Sequence, residues 1–198
     1  MITTALVGTV IAVATFLVRR RGLATGFVLS DTQSIGDLPW YAGALSNAGI
    51  VMWVVTAAVA IFGSRLAEDR ETRGFLLSGG LLSSLLGFDD LYMVHERIFP
   101  RVLALSEKLL FSFYLVAVAL YLYRYRREIL NSDFTLLLAA LCGFGASMVV
   151  DVMTEDKPWP MYRHVFEDGP KLAGLALWMV YHVRTTWQRV GRGDTRRL

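Results

Sequence analysis

The sequence predicts an all-α, polytopic membrane helical bundle with about six transmembrane helices in a single integral membrane domain. Three observations predict it. Of the 198 residues, 55% are hydrophobic and 19% charged, whereas an ordinary soluble domain has roughly half its residues apolar and about a quarter charged. The apolar residues form uncharged runs close to the ~20 residues an α-helix needs to cross a bilayer while satisfying its own backbone. The arginines gather at the ends of those runs, as membrane topology demands, and this argues against nucleic acid as the partner of a chain with net charge +3. Cys142 is the single cysteine, which excludes an intramolecular disulfide and a cysteine-rich zinc site.

Residues 2–18 form the first expected span, uncharged, with Gly8 and Ala12 spaced as in small-residue helix contacts. It ends in Arg19, Arg20 and Arg21, with no positive region before it and no small-residue cleavage site after it, so it reads as a retained helix. Residues 22–39, rich in glycine and polar residues, read as a loop or interfacial segment. The second span, 40–62, carries Ser46 and Asn47 for hydrogen bonds to a neighbouring helix. Residues 64–73 are a solvated charge run.

The remaining spans are each interrupted at one end. The third, 74–95, is uncharged only to Phe88, too short for a ~30 Å hydrocarbon core at ~1.5 Å per residue. It must therefore carry Asp89 and Asp90 into the edge of the apolar slab, where a charge demands a partner, a cation or a proton. The fourth, 106–124, has Glu107 and Lys108 in its first turn; the fifth, 133–152, meets Asp151. The sixth, 164–186, has its uncharged core at 172–183 and reaches back through Lys171, Asp168, Glu167 and His164. Gly169 and Pro170 are expected to break this last helix locally.

Six spans place both termini on one side. That side holds 11 of the 20 Lys and Arg, which favours cytoplasmic termini in a bacterial-type plasma membrane, although Arg19 to Arg21 oppose it. The acids divide more sharply: 11 of the 17 Asp and Glu fall at the other side, among them Asp31, Asp37, Glu155 and Asp156, together with His95 and His164. Four helices thus bring polar groups to one end.

Three chemistries fit this pattern. Carboxylates and imidazoles are the ligands of zinc, manganese or iron, and Asp90, His95, Glu107, Asp151, His164, Glu167 and Asp168 are the candidate ligands of such a divalent transition metal. Asp89, Asp90, Glu107 and Lys171 are the candidate catalytic groups of a metal-dependent membrane hydrolase or oxidoreductase acting on a small-molecule or lipid-phase substrate. Carboxylates crowded in a partly dry site compete for charge, so Asp89, Asp90, Asp151 and Glu167 also suit a proton- or cation-coupled transporter or channel. The structural alternative, including a sensory subunit, pairs Asp90 with Arg97 and Glu167 with Lys171, both at helical spacing. His182 is expected at the far end as an interface residue beside Trp187.

Overall fold

The computed structural model describes residues 2–26, 30, 32–154 and 163–194, and gives the backbone alone for residues 2–4, 152, 154, 163 and 192–194 and for Glu96, His164 and Glu167. Asp31, Glu155 and Asp156 lie outside the described residues. The all-α expectation holds: the described residues contain helices and no strand. They divide into two compact units, residues 1–44 and 45–198. The first contains α1 (Ile2–Arg20) and the short α2 (Thr32–Ile35). The second contains α3 (Ala44–Leu66), α4 (Arg70–Tyr92), a π-helical turn (Val94–Ile98), α5 (Phe99–Val102), α6 (Glu107–Arg124), α7 (Arg126–Leu130), α8 (Phe134–Thr154) and α9 (Arg163–Asp194).

Local chemistry sets the boundaries. Gly43 has φ 71°, in the left-handed region, and this turn delays α3 to Ala44, past the expected start at Trp40. At its other end α3 runs on through Arg65, whose charge suits a helix C-terminus. Asp69 caps α4 by accepting a hydrogen bond from the Thr72 N–H at 2.7 Å, and Glu71 occupies the first turn, where the helix dipole favours an acid. The far end of α4 stops at Met93, which turns left-handed (φ 49°, ψ 47°) and returns its N–H to the Asp89 carbonyl. Pro100 falls in the first turn of α5, where its missing N–H costs nothing. Pro170 lies inside α9, which continues through it from Arg163 to Asp194, so the expected break at Gly169 and Pro170 does not occur.

Among the described residues two helices, Ala44–Leu66 and Phe134–Asp151, are long and apolar enough to cross a membrane, fewer than the six expected spans. Only 28% and 17% of their apolar windows are buried. Apolar side chains point outward along most of the second unit: Val51, Val54 and Phe62 on α3, Leu81 and Leu85 on α4, Leu115 and Leu120 on α6, Leu138 and Val149 on α8. Small and polar groups share the interior with Trp53, Phe75, Leu137, Trp178 and Tyr181. α8 and α9 pack closely. A Cβ at Gly174 would lie 2.8 Å from the Ala140 carbonyl oxygen, and one at Gly143 2.8 Å from Gly174 Cα, so these helices meet backbone to backbone.

Candidate functional site

The end of α4 presents two consecutive carboxylates, and consecutive helical residues point about 100° apart. Asp89 and Asp90 accordingly serve different neighbours. Asp89 is 6% exposed and turns toward the chain that follows it. Because Met93 is left-handed and Val94–Ile98 is a π-helical turn, His95 folds back over the carboxylate. Its backbone N–H donates to Asp89 Oδ1 at 3.0 Å and its Nδ1 lies 2.5 Å from Oδ2. The His95 ring packs on Phe111 of α6 with centroids 5.1 Å apart, and the Tyr114 hydroxyl one turn further along reaches Asp89.

Asp90 faces the bundle. Lys171 Nζ of α9 sits 2.7 Å from its Oδ1, and the Trp53 indole N–H of α3 donates to its Oδ2 at 2.8 Å. One carboxylate therefore joins three helices. Lys171 also feels the charges of Asp168, three residues before it on α9, and of Asp89. The ammonium is held between acids from two helices.

The structure thus gathers Asp89, Asp90, His95 and Lys171, with the exposed Asp168 beside Lys171. Glu107 in the first turn of α6 and Asp151 near the end of α8 are half-buried. The side chains of His164 and Glu167 lie outside the description. Among the described residues, no three His, Cys, Asp or Glu side chains stand close enough to hold a metal ion. The expected Asp90–Arg97 pair is replaced by Asp90–Lys171, because α4 ends at Tyr92 and Arg97 leaves its stripe.

Below the acids the interior holds a second polar layer. The Trp178 indole donates to Ser83 Oγ at 2.9 Å, and Ser83 donates to the Gly79 carbonyl at 2.8 Å. His182 belongs here and not to an interface: it is buried, whereas Trp187 is 81% exposed. Its Nδ1 donates to the Trp178 carbonyl at 3.0 Å, leaving Nε2 to face the Tyr121 hydroxyl at 3.4 Å. Room for the imidazole exists because residue 79 has no side chain; a Cβ there would lie 2.8 Å from His182 Nε2 and 2.9 Å from the Tyr121 oxygen.

Trp53 was not among the residues the sequence singled out. Its signal is an indole in an uncharged helix, since a buried indole N–H needs an acceptor. No curated protein and no solved structure matches the chain. The family described as "Domain of unknown function (DUF8692)" matches residues 3–185, and the chain belongs to that family.

Proposed function

We propose that the chain is a six-span membrane protein that couples proton or cation binding at its acidic end to movement of a small solute. The carrying observation is the arrangement of Asp89 and Asp90: adjacent carboxylates, each ion-paired or hydrogen-bonded to a titratable partner from another segment, at the edge of an apolar helix. A proton or cation arriving at Asp90 competes with Lys171 and weakens the bond between α4 and α9, which is how an ion-binding event becomes a change in helix packing. The outward-pointing apolar faces of α3, α4, α6 and α8 support the embedded reading. With cytoplasmic termini in a bacterial-type plasma membrane, the acidic end opens outward.

The test is charge displacement after a pH jump on the protein reconstituted in a supported membrane. A transient current is expected, lost in Asp90→Asn and reduced in Asp89→Asn. No current from the parent protein would sink the coupling reading.

A metal-dependent membrane enzyme is the second reading. It is favoured by the Asp89–His95 contact, since a carboxylate on one ring nitrogen is the usual support for a metal-bound imidazole. Its ligands would come from Asp90, His95, Glu107, Asp151, His164, Glu167 and Asp168. Stoichiometric zinc, manganese or iron in protein purified without chelators, reduced in His95→Ala, would favour it over coupling.

A further inference from the structure

At the opposite end of the second unit, α6 gives way to α7 through the sequence Tyr-Leu-Tyr-Arg-Tyr-Arg-Arg-Glu, residues 121–128. A cavity of about 260 Å³ opens at this junction, walled by Glu71 and by residues 123–128. Both of its acids are already engaged. Glu71 takes the Arg124 guanidinium through both oxygens, at 2.5 and 3.1 Å, and Glu128 pairs with Arg189 of α9 at 2.9 Å. Arg126 and Arg127 are exposed and form no ion pair among the described residues. Arg126 is nonetheless held in place: its Nη1 donates to the Tyr123 carbonyl at 3.1 Å and its guanidinium lies over the Tyr123 ring, 4.8 Å from the centroid.

We propose that this junction binds the phosphate of an anionic phospholipid. Two neighbouring exposed guanidinium groups, Arg126 held over Tyr123 and Arg127 beside it, suit a phosphate, which guanidinium groups grip through paired N–H donors. Position selects a lipid over a free ion. The junction is the end of an apolar helix whose Val116 and Leu120 point outward, a surface for acyl chains, and the exposed Tyr123 sits where interfacial aromatics anchor. Arginines directly following a membrane helix are attracted to anionic headgroups. Glu71 lies 18 residues before Asp89 on the same helix, roughly 27 Å by the helical rise, so this site is remote from the acids. It requires α6 to lie in a bilayer but not that the acidic end carries ions.

The experiment is native mass spectrometry of the full chain in neutral detergent with dioctanoyl-phosphatidylglycerol, dioctanoyl-phosphatidylcholine or inorganic phosphate. Phosphatidylglycerol should bind at least tenfold tighter than phosphatidylcholine, and inorganic phosphate should not displace it at equal concentration. At about fivefold per arginine, R126Q/R127Q should weaken phosphatidylglycerol about 25-fold. R126K/R127K, which keeps the charge, should stay within about fivefold of the parent and so separates loss of charge from loss of fold. Equal binding of the two lipids, displacement by phosphate alone, an unchanged R126Q/R127Q or a loss in R126K/R127K as large as in R126Q/R127Q overturns the proposal.

Discussion

Asp90 uses one oxygen for Lys171 and the other for Trp53, so its replacement touches three helices at once. Breaking a buried ion pair costs about 3–5 kcal/mol, but the Lys171 side chain is 41% exposed, and Asp90→Asn should cost about 1–2 kcal/mol. Unfolding of D90N, K171M and the double variant in detergent tests this: a coupling energy below about 0.3 kcal/mol would mean that the pair contributes nothing. Asp69 offers a pH-dependent case outside the apolar spans. The Thr72 N–H holds its carboxyl below the ordinary value of 3.8, so the cap stabilises the fold above that pH and the contribution fades as pH falls through the lowered value. Asp69→Ala should therefore cost about 1 kcal/mol at pH 7, with the gap to the parent closing below about pH 4. Denaturant midpoints across pH measure it; a constant gap contradicts the cap. The Asp90–Lys171 pair was out of reach of the sequence because periodicity ranks partners along one helix and says nothing of which helix packs beside it. His182 was misplaced for a related reason, since its pocket is the missing side chain of Gly79 on another helix.

The elements were more legible than their ends. Uncharged runs marked the cores of α3, α4, α6, α8 and α9, because length and hydropathy need no tertiary information. The stop of α4 was hidden: methionine has no preference for the left-handed region, yet Met93 adopts it and thereby brings His95 to Asp89. Met93→Val, a β-branched residue in that conformation, should destabilise by about 1–2 kcal/mol and loosen His95. Conversely Ala104, exposed at φ 52°, should gain about 0.5–1 kcal/mol on replacement by glycine. Thermal unfolding of both variants reads the signs directly, and a stabilising Met93→Val would contradict the left-handed turn. Glycines in α8 and α9 divide in the same way. Gly174→Val drives a side chain into the Ala140 carbonyl and should cost about 3 kcal/mol or more, whereas Gly145→Ala, with nothing within 4 Å, should be neutral or slightly stabilising.

For the whole molecule, the six-span reading makes a prediction about sides. In a Cys142→Ala background, cysteines at Glu68 and Asn131 should react with an impermeant maleimide from one face of sealed vesicles, and a cysteine at Ser106 from the other. Labelling of all three from one face would rule out that topology. The sequence marked Asp89, Asp90 and Lys171 as helix-end charges because charge interrupts apolar runs visibly, but the inward-facing order of indoles, hydroxyls and imidazole depends on which helices adjoin. Where Gly143 meets Gly174 the backbones of α8 and α9 touch, with no side chain between them at that point. Lys171 rides on α9 and Asp90 on α4, so under the proposed coupling their ion pair is the latch between these two helices.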